Sequence, residues 1–201
     1  MPDALLIARL VFLPALLLFA APVLGDPEIK GKPEALTYQD NYKNAVTIVR
    51  EWKQDALLYR ADVLDARRDG TVDAGAEGDG SIAYFFYSPA LHLADPSMGG
   101  SFRVLTIAKG QLTIAPPPDE HAEAHQQAAK RHLPGDPVGV HAPMEQAEKQ
   151  GCDFGLRLNG WLFADVEGGA HPFRWCVSAA PAGTPTVTAD AMTGVVLEVS
   201  K

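Results

Sequence analysis

The chain reads as an α+β protein of two tandem α-β-β-β units, each with a helix packed on an antiparallel sheet. Three observations predict this. Residues 38–54 place Tyr42, Ala45, Val46, Val49 and Trp52 at helical spacing, with Lys43, Arg50 and Lys53 off that face. Short β-prone runs bounded by Gly, Pro and Asp recur along the rest of the chain. Finally, the order of helix, strand, aromatic strand and hairpin occurs twice.

Met1–Gly25 has one cation, Arg9, then an apolar run through Leu24 and small residues before Asp26, which is the pattern of a secretory signal peptide. An uncleaved membrane anchor over Ala4–Leu24 is the rival reading, weakened by Pro14, Pro22 and Arg9. The expected address is periplasmic or secreted, with no stable membrane span after cleavage. Residues 26–36 read as a flexible mature N-terminus.

The first unit is expected over 37–116. Its helix would be capped by Asp40 or Asn41, whose side chains can accept the free amides of the first turn. Ala56–Ala66 alternates and reads as a strand, followed by the Gly/Asp-rich loop 67–80. Asp69, Asp73, Glu77 and Asp79 invite a calcium reading, but Thr71 and Ala74 interrupt the ligand series and a solvated loop is expected. Ser81–Ser88, SIAYFFYS, is the most β-prone stretch and should lie centrally in a sheet. Residues 89–100 form a loop suited to carry one side of a site. Phe102–Ala108 and Gln111–Ala115 make a hairpin turned at Lys109-Gly110.

Pro116-Pro117-Pro118 closes that unit, and a connector occupies 117–140. Its helix, Asp119–His132, has only alanines to bury and reads as partly exposed. The second unit, 141–201, has a short helix over Pro143–Gln150, strands at Leu156–Val166 and Phe173–Ala179, and a closing hairpin with strands Thr186–Ala189 and Val195–Val199. Its two cysteines, Cys152 and Cys176, are expected to form a disulfide in an oxidising compartment, tying helix to sheet. A reactive Cys176 beside His171 is the alternative, but nothing in the sequence forces nucleophile and base together.

The closing run, an aromatic strand and then Thr186-Val187-Thr188-Ala189-Asp190-Ala191-Met192-Thr193-Gly194-Val195-Val196, resembles the end of a PepSY or PepSY-like domain. There a strand leads into an Asp-Ala-x-Thr-Gly turn and an apolar strand, and Ala147-Glu148-Lys149-Gln150-Gly151 is similar to the family's short helix. The resemblance covers about Pro143–Val199 and reaches the first unit by element order alone. It implies an exported module that binds or inhibits another protein, with no catalytic residues attached to the fold.

For chemistry, His121 and His125 lie one helical turn apart, a ligand spacing for zinc or copper, with His132 further along and His92, His141 and His171 as distant completers. No serine sits in a nucleophile elbow, no Gly-rich segment ends in a phosphate-loop Lys-Ser/Thr, and the acids are scattered. A formal net charge of −8 argues against nucleic acid as a partner. The reading is an exported, non-enzymatic binding module without cofactor, whose partner is a protein or peptide of the cell envelope met in the helix–sheet groove or along an edge strand; residues near Tyr84–Tyr87 and Trp161–Phe163 would then line that surface, with a place in the core as their competing role. The alternative is a periplasmic metal-binding protein using His121 and His125.

Overall fold

Thr37 starts the first helix. Its hydroxyl accepts from the Asp40 amide while the Asp40 carboxylate accepts from the Thr37 amide, a reciprocal capping box that opens α1 (Tyr38–Trp52). The cap is therefore Thr37, not Asp40 or Asn41. Asn41 is fully buried and bonds the backbone of Lys30 in both directions, at 3.0 and 2.8 Å. The structure is a computed structural model that describes residues 28–200 except 95–97, 119–121, 130–131, 134–136, 165–169 and 181–183. The signal-peptide segment and His121 lie outside the described residues.

Residues 28–36 are not free, as their Pro/Lys composition suggested. Leu36 is fully buried and exchanges two backbone hydrogen bonds with Val72, at 3.0 and 2.7 Å, tying the N-terminal stretch to the Gly/Asp loop. That loop is built from its own acids. Asp69 accepts from the amide and hydroxyl of Thr71, and Asp73 accepts from Arg67 and the Gly75 amide.

The strands are β1 (Leu57–Arg67), β2 (Ser81–Tyr87), β3 (Phe102–Ala108), β4 (Gln111–Ala115), β5 (Arg157–Ala164), β6 (Phe173–Ala179), β7 (Thr186–Asp190) and β8 (Val196–Ser200). All join one antiparallel sheet in the order β4-β3-β2-β1-β5-β6-β7-β8. Each half is a meander, and the halves meet edge to edge through β1 and β5. Pairing slips at that seam, where Asp65 takes φ 55° and its amide donates to Asn159 Oδ1 at 2.9 Å. The stretch expected as a loop over 89–100 instead carries two short helices, α2 (Pro89–Ala94) and α3 (Met98–Ser101). The connector helix is α4 (Ala122–Ala128), and α5 (His141–Glu148) opens the second half. No helix among the described residues is long and apolar enough to cross a membrane.

Strand alternation gives the sheet two unlike faces. On one, α1 contributes Tyr38, Ala45, Ile48 and Val49 to a core shared with Tyr84, Phe86, Leu105, Leu158, Leu162, Trp175 and Val177, and α5 adds Met144 and Ala147. Tyr38 binds the halves together: its ring lies 5.2 Å from that of Tyr84 and meets Trp175 edge-on at 5.8 Å. Tyr84 donates to the Tyr38 carbonyl at 2.6 Å, and Trp175 Nε1 donates to the Val138 carbonyl at 2.8 Å. Gly160 is required beneath them, because a Cβ there would overlap Val140 Cγ2 and press on the Trp175 ring.

The same alternation denies the expected disulfide. Cys152 follows α5 and is buried in the helix-side core, while Cys176 sits between the core-facing Trp175 and Val177 and so points to the opposite face. Both are free thiols.

Candidate functional site

The sheet face opposite α1 and α5 is where chemistry and exposure coincide. A bulge in β1 between Leu58 and Arg60 turns Tyr59 as well as Arg60 toward this face. Arg60 and Asp62, two residues apart on β1, then share it and form a two-pronged ion pair, Nε–Oδ1 and Nη2–Oδ2 both at 2.7 Å. The Arg60 guanidinium lies 5.0 Å from the Phe85 ring centroid. Across the seam, Arg60 is paired with Phe163 and Asp62 with Trp161, and the next strand brings Arg174 and Cys176 alongside these two aromatics. Trp161 and Phe163 are half-buried and, among the described residues, belong to neither apolar cluster.

Electrostatically, this centre is held under tension. Burial pushes the Asp62 carboxyl up, against the hydrogen bonds and charge of Arg60, which pull it down. An ion pair partly withdrawn from water among half-buried aromatics is pre-set to meet polar groups of a partner. Burial also raises the Cys176 thiol, the reverse of what a nucleophile needs.

One end of this face is walled. Tyr59, Phe85, Phe102 and Ala129 make a second apolar cluster under α4. His125, from α4, is 4 % exposed, its ring stacks 5.5 Å from that of Phe85, and its Nδ1 lies 2.8 Å from Tyr59 Oη. The helix thus buries a histidine while Glu123, Gln126 and Gln127 stay exposed, so the partly exposed connector is also seated on the sheet. Burial pushes the Tyr59 phenol far up, so it stays protonated in this contact. Between α2 and α4 a cleft of about 410 Å³ is lined by Tyr87, His92, Leu93, Gln126 and Gln127, and His92 is oriented by Ser101 Oγ at 3.3 Å.

His125 thus faces the sheet and meets Tyr59, while its proposed co-ligand His121 lies outside the described residues. His171 reaches Asp190 at 2.9 Å. Among the described residues no group of three or more His, Cys, Asp or Glu is placed to hold a metal ion. Equimolar zinc or copper is accordingly expected to leave the melting temperature unchanged; a rise of several degrees that His121→Ala abolishes would restore the metal reading. Of the stretches singled out from sequence, Phe85, Tyr87, Trp161 and Phe163 are on the face away from α1 and α5, with Phe85 buried beneath α4, and Tyr84, Phe86 and Leu162 are in the helix-side core. The Arg60–Asp62 pair went unread, though charges two apart on an alternating strand are its signal.

No protein-family model matches the chain, and no curated protein matches it in sequence. It is similar to a solved structure from Clostridium difficile 630, a protein provisionally named a lipoprotein, at 15 % identity and a TM-score of 0.47, covering 83 % of this chain and 97 % of that one. A likeness of that size carries neither family nor function across.

Proposed function

We propose that the chain is an exported, non-enzymatic binding module that captures a protein or peptide of the cell envelope on the sheet face away from α1 and α5, beside the part that α4 covers. The observation that carries this reading is the centre of that face: Trp161 and Phe163, half-buried, flank an Arg60–Asp62 ion pair partly withdrawn from water. Rigid aromatics around a preformed charged pair are the composition of interface hot spots. Backbone rigidity supports it too, because every one of these residues stands on a central strand, β1 or β5.

The export part rests on the pattern of residues 1–25, and the PepSY-like part on the Asp190–Gly194 turn and the repeated element order. What supports a non-enzymatic role is where the reactive groups are engaged: His171 on Asp190, His125 on Tyr59, and Cys176 with its thiol raised by burial.

The test compares capture by the intact chain with capture by a Trp161→Ala/Phe163→Ala variant in extract of the native envelope, read by quantitative mass spectrometry. The expected result is a partner whose recovery falls at least about tenfold in the variant, in line with the loss of two interface anchors. Equal recovery by the two proteins would place binding elsewhere.

A further inference from the structure

One edge of the sheet is built to receive a copy of itself. β4, QLTIA, is an outermost strand, and no described strand pairs with its free side. Its five residues carry no charge, proline or bulge, so the backbone of the strand itself is open to pairing, with Pro116-Pro117-Pro118 bounding it at one end. The other edge, β8, is interrupted by a bulge opposite Thr188 and Ala189 and bears Glu198.

The pairing pattern of β4 follows from its turn. Lys109 and Gly110, at φ 52° and 71°, form a two-residue hairpin turn, which makes Ala108 and Gln111 a hydrogen-bonded pair. Gln111, Thr113 and Ala115 therefore direct their backbone groups at β3, and Leu112 and Ile114 direct theirs outward. Around Thr113 only the apolar character is shared, with Leu112 on one side and Ile114 on the other. A two-fold axis through Thr113, perpendicular to the sheet, pairs Leu112 with Ile114 of a second copy twice over. All four outward amides and carbonyls of the two copies that these residues supply are then joined to one another. The same operation stacks Leu112 on Ile114 across the junction, on the helix-side face where both already pack against the core.

We propose that a second copy of this chain pairs with β4 through β4, antiparallel and centred on Thr113, so that two eight-stranded sheets become one. A two-fold axis perpendicular to the sheet leaves both aromatic faces on the same side, which makes the assembly bivalent toward any partner of that face.

The experiment is sedimentation velocity on the purified full chain over a wide concentration range, with engineered cross-links. The wild-type protein is expected to pass reversibly from monomer to dimer as concentration rises. Thr113→Lys, which sets two ammonium groups against each other on the axis, is expected to weaken that association at least about tenfold with unchanged melting temperature. In a Cys152→Ala/Cys176→Ser background, Thr113→Cys is expected to cross-link covalently under mild oxidation, because residues facing each other in a non-hydrogen-bonded pair lie within disulfide reach. Gln111→Cys, which the axis places opposite residue 115, is expected not to. A monomer at every concentration, a dimer indifferent to Thr113→Lys, or equal cross-linking at 111 and 113 would each overturn the proposal.

Discussion

Replacing Trp175 with alanine is expected to destabilise the protein by about 4 kcal/mol, near the upper range for truncating a buried aromatic. Trp175 is fully buried, at the point where α1, β6 and the segment before α5 converge. Its removal leaves a cavity against Tyr38 and Gly160 and strands the Val138 carbonyl, which loses the indole donor. Because a domain of this size is stable by only ~5–15 kcal/mol, the variant should unfold at far lower urea. Trp175→Phe should recover most of the apolar contact and leave a deficit of about 1–2 kcal/mol from the lost hydrogen bond and residual gap. Trp161→Ala, one strand away and on the other face, should change stability by less than about 1 kcal/mol. Urea titrations of the three variants check the contrast, and equal losses at 161 and 175 would show that the two faces have been misassigned.

The second large effect lies in the β7–β8 turn. Asp190→Ala is expected to cost about 2–4 kcal/mol, since one carboxylate gathers the turn around itself. Its Oδ1 accepts from the amides of Met192 and Thr193 and from the Thr193 hydroxyl, at 2.8–3.0 Å, while Oδ2 accepts from His171 Nδ1 at 2.9 Å. Burial alone would raise this carboxyl, but the hydrogen bonds from His171, Thr193 and Met192 together outweigh it and hold the group below the usual carboxylate range. A carboxyl depressed in the folded state stabilises fully above its unfolded pKa of about 3.9 and loses that contribution as pH falls through the folded value. Wild-type protein should therefore lose stability below about pH 4 more steeply than Asp190→Asn, which keeps an acceptor but no titration there. Parallel acid slopes for the two proteins would remove Asp190 from the account.

Much of this architecture is legible in the chain because strand period and turn chemistry are local. Lys109-Gly110 and Asp190–Gly194 announce their turns, and alternation in 56–66 and the β-prone aromatic run of 81–88 place strands within a residue or two of their observed ends. The failures come where a local signal was read without its periodicity. Cys176 stands between two apolar residues of an alternating strand, so its side chain belongs to the face away from Cys152, and compartment chemistry could not override that. The connector helix offers mainly alanine, but His125 stacks on Phe85 and meets Tyr59, a contact between residues far apart in the chain that no helical pattern displays. Residues 28–36 look unstructured by composition and are held by partners in α1 and the 67–80 loop. The aromatic run 84–87 was legible as a strand, yet only its register against β1 divides Tyr84 and Phe86 from Phe85 and Tyr87.

Side-chain oxidative footprinting, read residue by residue with and without the captured partner, tests the two-faced sheet most directly. In the free protein Trp161 and Phe163 should oxidise about ten times faster than Trp175 and Phe86, as half-exposed against fully buried rings do. Partner binding should protect 161 and 163 and leave the core rings unchanged. Equal reactivity of Trp161 and Trp175 in the free chain, or protection that spares 161 and 163 when the partner is bound, would contradict the account.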